Sequence, residues 1–175
     1  MDAEGIGTVV VGADGSPGSR VALEYAFDDA ARRGARLRVV AAAQLPEYWA
    51  TAYGLTAPPP VAEIVEGVRA AVQATVDEVA AARPVAARRV EVTVEARAGG
   101  AAEVLLDAAD GADVLVLGHR GRGALRSAVL GSVGLHCALH APCPVTIVRP
   151  PRERETAAER AVAGQAEPLA AAGTA

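Results

Sequence analysis

A short glycine-rich stretch constrains this chain more than any other part of it. Residues 112–117 read Ala-Asp-Val-Leu-Val-Leu, a run that is typical of a buried parallel strand. Gly118 and Gly121 follow this strand directly, and Gly131 and Ser132 come after a gap of nine residues. Glycines at the end of a strand let the backbone approach a ligand closely, because no Cβ stands in the way.

The second half of this motif predicts the start of a helix. The sequence after Ser132 is apolar, and a helix N-terminus at this point would present free amides and the positive end of its dipole. Arg120, Arg122 and Arg126 lie in the same segment, which has no acidic residue although the net charge of the chain is -4. Together these features indicate a phosphate site. The alternative is a tight strand-to-helix connection that uses glycine only for turns.

Composition excludes several functional classes. The chain has 175 residues, 51% of them hydrophobic, which is enough for an ordinary core. Asp2 and Glu4 precede a first apolar run of only three valines, so we expect a cytoplasmic protein with no secretory signal and no membrane span. The net acidity and the scarcity of aromatic residues argue against nucleic-acid binding. There is no lysine, which excludes a Walker A loop.

Strand and helix patterns alternate through residues 1–150. We predict strands at residues 8–12, 37–43, 90–95, 112–117 and 145–148, with four helices between them. This alternation predicts an α/β fold with a doubly wound, five-stranded parallel sheet and helices on both faces, similar to the Rossmann fold. The third strand alternates Val with Glu and Thr, as an edge strand does. Residues 151–175 lack a sustained apolar stripe, and we predict that they are a disordered tail.

The first helix has clear signals at both ends. Ser16 is the predicted N-cap, Pro17 lies in the first turn and Gly34 ends the helix after two arginines. We interpret the acidic residues of this helix, including Asp28 and Asp29, as part of a solvated face.

These motifs resemble the universal stress protein family over roughly residues 7–149. The resemblance rests on residues 11–16 (Val-Gly-Ala-Asp-Gly-Ser), on the glycine motif with its Arg122-Gly123 pair, and on residues 140–145 (His-Ala-Pro-Cys-Pro-Val). It implies the strand order 3-2-1-4-5, a dimer, and a site for ATP, which we expect to bind with Mg²⁺. In that order the first and fourth strands are neighbours at a topological switch point, where ligands bind beyond the carboxyl ends of the sheet.

The resemblance also assigns roles to individual residues. It places Asp14 on the adenine or ribose side, Gly118 and Gly121 in a phosphate loop, and Ala42 beside the adenine. The alternative for Asp14 is a turn aspartate that binds nearby amides. Leu117 is either a neighbour of the base or ordinary core. The predicted nucleotide-binding residues are Gly12, Ala13, Asp14, Ala42, Leu117, Gly118, Gly121, Arg122, Gly131, Ser132 and Val133.

Ser132 has two compatible interpretations. It is the N-cap of its helix, or it offers its hydroxyl and amide to phosphate, and a ligand can use the amides that the cap leaves free.

Two further features have alternative interpretations. Residues 44–60 form a long connection with Tyr48, Trp49 and Tyr53, either a lid over the crevice or an aromatic packing anchor, which we favour. His136 and His140 lie close to Cys137 and Cys143, but Pro142 interrupts the helix and no Cys-x-x-Cys pair occurs, so we predict no metal site there.

The final strand, from Pro144 to Val148, carries no charge and would leave an apolar edge open. We predict that it pairs with the same strand of a second copy to form a homodimer; the alternative is that the tail folds back over the edge. The leading functional prediction is a regulatory ATP-binding protein of the stress response with at most weak ATPase activity, because no residue to orient water is evident. The alternatives are a nucleotide-dependent adenylating or phosphoryl-transfer enzyme and an interaction module that binds no nucleotide.

Overall fold

The computed structural model describes residues 6–44, 60–84, 89–119, 121 and 130–150. Strands and helices alternate along them in the predicted order: β1 (Thr8–Gly12), α1 (Pro17–Arg33), β2 (Arg36–Ala43), α2 (Val61–Ala81), β3 (Val92–Ala98), α3 (Ala101–Ala109), β4 (Val114–Gly118), α4 (Ser132–His140) and β5 (Val145–Val148). The predictions about the tail and about Tyr48, Trp49 and Tyr53 fall outside the described residues.

The strands form one parallel sheet in the order β3-β2-β1-β4-β5, which confirms the predicted fold class. β1 lies at the centre, where Val11 pairs with Val39 of β2 on one side and with Val116 of β4 on the other. β3 and β5 are the two edges, as predicted. The chain order reverses between β1 and β4, so the carboxyl ends of these two strands flank the switch point of the sheet.

Each face of the sheet has its own hydrophobic core. On one face, Val9 and Val11 of β1 pack with α1 and α2. On the other face, Val10 and Val40 pack with α3, β4 and Cys137 of α4. This division follows from right-handed crossovers. The connections through α1 and α2 run toward β3, and those through α3 and α4 run toward β5, so the two pairs of helices lie on opposite faces.

The third strand begins two residues later than predicted and ends three residues later. Val92, Val94 and Ala96 pack against the core on the α1/α2 face. Glu95 points to the opposite face, where its carboxylate binds Arg38 of β2, with 2.8 Å between Nε and Oε1. The alternation seen in the sequence therefore separates a packed face from a polar face that is half exposed.

α1 has the predicted boundaries. The Ser16 side chain accepts a hydrogen bond of 3.1 Å from the Ser19 amide, and Pro17 is the first helical residue. Gly34 ends the helix in the left-handed conformation with φ of 67°, where glycine has no steric penalty.

The prediction that Asp29 belongs to a solvated face is wrong. Its side chain is 2% exposed and makes ion pairs with Arg32 and Arg33, which lie one turn further along α1. A buried carboxylate needs such partners, because an unpaired charge in the core is costly. Asp28 is exposed and binds Arg83, which follows α2.

α2 is the longest helix of the described residues, and only some of its valines are buried. Val72, Val76 and Val79 are buried against the sheet, whereas Val61 at its start is 47% exposed. None of the helices within the described ranges is long and apolar enough to cross a membrane.

Candidate functional site

The carboxyl ends of β1 and β4 bring two distant motifs into contact. Asp14 follows β1, and Gly121 follows β4. The Oδ2 atom of Asp14 lies 2.5 Å from the position that a Cβ on Gly121 would occupy. The first-strand motif and the glycine motif therefore meet at the switch point, as their predicted roles require.

Asp14 forms the turn that leads into α1. Its Oδ1 atom accepts a hydrogen bond of 2.9 Å from the Ser16 amide, an arrangement typical of an aspartate two residues before the bonded amide. The turn role is thus present. It is compatible with a ligand role, because Oδ1 binds the turn while Oδ2 lies toward Gly121.

Gly118 lacks a side chain for a reason that the sequence did not reveal. A Cβ at this position would stand 2.7 Å from the carbonyl carbon and oxygen of Gly18 and 3.0 Å from the Ser19 nitrogen. These are backbone atoms of α1, which cannot move aside as a flexible side chain can. The packing of β4 against the first turn of α1 therefore requires glycine here, whatever binds in the crevice.

A backbone hydrogen bond joins the two halves of the glycine motif. The Gly131 amide donates to the carbonyl of His119 over 3.1 Å, just after the end of β4. The Gly131 carbonyl accepts the first helical bond of α4, from the Leu135 amide over 2.9 Å. Gly131 has the extended conformation of an N-cap, with φ of −61° and ψ of 152°.

Of the two interpretations of Ser132, the N-cap one is wrong: Gly131 holds that position, and Ser132 is the first helical residue. The first turn thus begins one residue earlier than the N-cap interpretation of Ser132 requires. The Gly131 amide is already engaged. The amides of Ser132, Val133 and Gly134 have no partner within the helix, as in any first helical turn.

Four of the predicted residues share the α3/α4 face of the sheet. A Cβ on Gly12 would lie 2.8 Å from Cδ2 of Leu117, which is buried. Ala42 and Val133 are partly buried against the same hydrophobic cluster. Leu117 therefore belongs to the hydrophobic core, and its side chain fills the space beside Gly12.

A cleft near these residues opens on the other face of the sheet. It has a volume of about 240 Å³ and lies between α1 and α2, where Ala13, Ser16, Arg20 and Thr75 contribute to its lining. Among the predicted site residues that the structure describes, Ala13 lines it. The predicted Arg122, like Arg120 and Arg126, falls outside the described residues.

Arg97 is a neighbour of the predicted site that the sequence did not indicate. It pairs in register with Ala42 across β2 and β3. Its guanidinium donates to Glu95 over 2.9 Å, and Glu95 binds Arg38, which reaches the Ala108 carbonyl of α3. The alternation of β3 predicts on which face of the sheet Arg97 lies, but only the register of β2 and β3 places Arg97 beside Ala42.

The two cysteines differ in their surroundings. Cys137 is buried in the core of the α3/α4 face, and burial raises the pKa of its thiol. Cys143 is partly buried, and burial is also the main cause that raises its pKa. Both are therefore poor nucleophiles near neutral pH, since the thiolate is the reactive form.

Comparison with known proteins gives a consistent result. The sequence profile of the universal stress protein family matches residues 5–149. Universal stress protein Rv1996 of Mycobacterium tuberculosis is 35% identical over 149 residues, which covers 80% of this chain and 47% of the relative. A universal stress protein of Thermus aquaticus is 34% identical over 145 residues, covering 81% of this chain and 98% of the relative. The chain spans about half the length of the mycobacterial relatives that it matches.

A solved structure has the same fold and a bound ligand. It is described as a universal stress protein in complex with cAMP, and it aligns with a TM-score of 0.59 and 26% identity. The alignment covers 81% of this chain and 96% of the other.

Proposed function

The chain belongs to the universal stress protein family, and from this premise we propose that it is a regulatory protein of the stress response that binds ATP between the carboxyl ends of β1 and β4. The contact of Asp14 with Gly121 across the switch point is the observation that carries the proposal. Ligands of open α/β sheets bind at this point, and a family member of the same fold is described in complex with an adenine nucleotide.

The phosphates would bind at the start of α4. The amides of Ser132 and Val133 have no partner within the helix, and the positive end of the dipole favours an anion there. Gly121 leaves room for the backbone to approach the ligand. Gly131 acts differently from its neighbours, because its own amide fixes the loop through His119.

The base would bind against the α3/α4 face of the sheet. Ala42 and Val133, which are partly buried on this face, offer small and apolar groups. Asp14 is the acidic group beside this surface, suited to accept hydrogen bonds from ribose hydroxyls. These roles follow from the family resemblance.

The donor set fits ATP better than it fits a dedicated metal centre. Within the described ranges no three His, Cys, Asp or Glu residues are grouped so that they could hold a metal ion. Mg²⁺ is commonly carried to such sites by the phosphates themselves, with one or two protein oxygens and several waters. Asp14 and the Ser132 hydroxyl are the oxygen donors that this chain would offer.

We expect hydrolysis to be slow. Phosphoryl transfer needs a group that orients the attacking water. Among the described residues near the start of α4, Asp14 is the acidic candidate, and one of its oxygens is held by the Ser16 amide. The protein would therefore report the nucleotide to a protein partner in the cytoplasm rather than consume it.

We further propose a homodimer through β5. This strand is an edge of the sheet within the described part of the chain. Beside it, α4 exposes Leu135 and Leu139 to 49% and 70%. A parallel edge and an apolar helix face next to each other suit a two-fold pairing that buries both.

The proposal is tested by the nucleotide that the full chain retains. We expect ATP to be released when the purified protein is denatured, and calorimetry to show one ATP site per chain with weaker binding of AMP and cAMP. Turnover of a second substrate together with ATP would support the enzyme alternative. Failure of all three nucleotides to bind would leave the interaction module as the function and overturn the proposal.

A further inference from the structure

Two imidazole rings stack on the surface at the end of α4. His136 and His140 are four residues apart, so they lie on the same side of the helix. Their ring centroids are 4.4 Å apart, the ring planes differ by 24°, and both residues are exposed. His136 lies one turn after Ser132, and His140 is the last residue of α4.

A backbone carbonyl sets the tautomer of the neutral His140 ring. Nδ1 of His140 lies 2.9 Å from the carbonyl oxygen of His136. A carbonyl oxygen only accepts hydrogen bonds, so in the neutral imidazole Nδ1 carries the proton and Nε2 keeps its lone pair. Histidines that bind metals have this arrangement: one ring nitrogen donates to a carbonyl or carboxylate, and the other binds the metal.

The spacing of the rings suits chelation of one cation. Imidazole nitrogens bind zinc at about 2.0–2.1 Å, so two of them on a tetrahedral ion lie roughly 3.3 Å apart. The nitrogen lone pairs of stacked rings lie in nearly parallel planes, so both exposed side chains must turn out of the stack before their nitrogens can face one ion. Two coordination positions would then remain for water or another ligand. Cys137 does not contribute a ligand, because it is buried in the core.

We propose that His136 and His140 form a surface site for a divalent transition-metal cation of the zinc and copper class. Neutral imidazoles select this class over Mg²⁺ and Ca²⁺, which prefer oxygen ligands. From the sequence we predicted no metal site, because the two histidines were considered together with Cys137, Cys143 and Pro142. In the structure the two histidine rings are exposed and adjacent, whereas Cys137 is buried, so the histidines can be considered as a site of their own.

The experiment is a Zn²⁺ titration of the full chain, observed through the imidazole proton resonances. The chain has three histidines, so His119 is an internal control. We expect the resonances of His136 and His140 to shift together and to saturate at one Zn²⁺ per chain. Each of the variants His136→Ala and His140→Ala should weaken binding by about tenfold or more, because the second imidazole binds an ion that is already tethered.

A matched variant and a second readout separate chelation from a general effect on the helix. Ala138→Ser alters an exposed neighbour on α4 and should leave Zn²⁺ affinity unchanged. Zn²⁺ should raise the unfolding temperature of the wild type and of Ala138→Ser but not of the double histidine variant, because a ligand that binds only the native state stabilises it. Equal affinity in wild type and double variant, or shifts confined to His119, would overturn the proposal. Loss of binding in Cys143→Ser alone would overturn it as well.

Discussion

The Oδ2 atom of Asp14 lies 2.5 Å from the point at which a Cβ on Gly121 would stand. A real Cβ does not approach an oxygen this closely, so an added methyl group must displace either the carboxylate or the loop. The relationship makes Gly121 a test of the site that does not depend on the hydrophobic core, because Gly121 is exposed.

Gly121→Ala is expected to weaken ATP binding strongly without a large loss of stability. The methyl group pushes the Asp14 carboxylate from its position, and the backbone of Gly121 is not in the left-handed region, so alanine adds no strain of its own. Calorimetric titration with ATP checks this. Gly67→Ala is the matched control: nothing lies within 4 Å of a Cβ there, and alanine should favour helix α2 by about 0.5–1 kcal/mol.

Asp14→Ala is expected to reduce ATP affinity by about 1–3 kcal/mol, the usual loss for a hydrogen bond to a charged group. The change also removes the bond to the Ser16 amide, so some loss of stability accompanies it. Asp14→Asn separates the effects, because its amide oxygen can still accept from Ser16 while the charge is absent. An Asn variant that binds ATP as the wild type does would show that the charge has no role.

Gly118→Ala is expected to act on stability. Its Cβ would clash with the backbone of Gly18 and Ser19, and overpacking of this kind costs about 1–3 kcal/mol. Urea denaturation should therefore show a lower unfolding midpoint, in contrast to Gly121→Ala. If Gly118→Ala binds less ATP but unfolds at the wild-type midpoint, the glycine serves the ligand and not the packing.

Glu95 is expected to make stability depend on acid pH. Hydrogen bonds from Arg38 first, and then from Arg97, lower the pKa of Glu95 below its ordinary value of 4.5, although burial opposes the shift. A carboxyl with a lowered pKa in the folded state stabilises fully above its unfolded pKa and loses this contribution as the pH falls through the folded pKa. Stability should therefore decrease below about pH 4.5, more steeply in the wild type than in Glu95→Gln.

Arg38 lowers the pKa of Glu95 more than Arg97 does, and this difference gives a control for the prediction. Arg38→Met should flatten the pH dependence more than Arg97→Met does, because the Arg38 hydrogen bond is the larger cause. Unfolding free energies measured by urea at several pH values check both points. Parallel curves for wild type and Glu95→Gln would exclude a contribution from this carboxylate.

The proposed dimer can be tested at the outer backbone of β5. The Pro144 and Val148 carbonyls accept bonds from Leu115 and His119, so by alternation the backbone of Val145 and Ile147 points to the open edge. Val145→Pro removes one outward donor and should shift the dimer toward a folded monomer in sedimentation velocity. A chain truncated after Pro150 should stay dimeric. A monomer for the full chain at micromolar concentration would contradict the interface.

The sequence predicted the fold well because its periodicities are local. Apolar runs marked the inner strands, and Ser16 and Gly34 marked the ends of α1, since each depends only on neighbouring residues. Asp29 was misassigned because its burial depends on how α1 is rotated against the sheet, and its arginine partners lie in the same helix.

The details of the site depend on distant contacts, which a single sequence does not reveal. The contact of Gly118 with Gly18 joins β4 to α1, and the pairing of Ala42 with Arg97 depends on the register of two strands. Likewise, the N-cap of α4 is Gly131 and not Ser132, and the Gly131 amide binds the carbonyl of His119, a contact that the sequence does not show.

The division of the core between the two faces has a consequence for biosynthesis. Most of the α1/α2 face can assemble once β3, which ends at Ala98, has emerged, because only Val114 and Val116 of β4 are then missing from its buried residues. Val10 and Val40 on the other face stay uncovered until α3 and β4 emerge, the latter ending at Gly118. At about 5–20 residues per second, this delay lasts roughly 1–4 seconds. During that interval the nascent chain presents an apolar sheet face to its surroundings, which is the kind of surface that general chaperones bind.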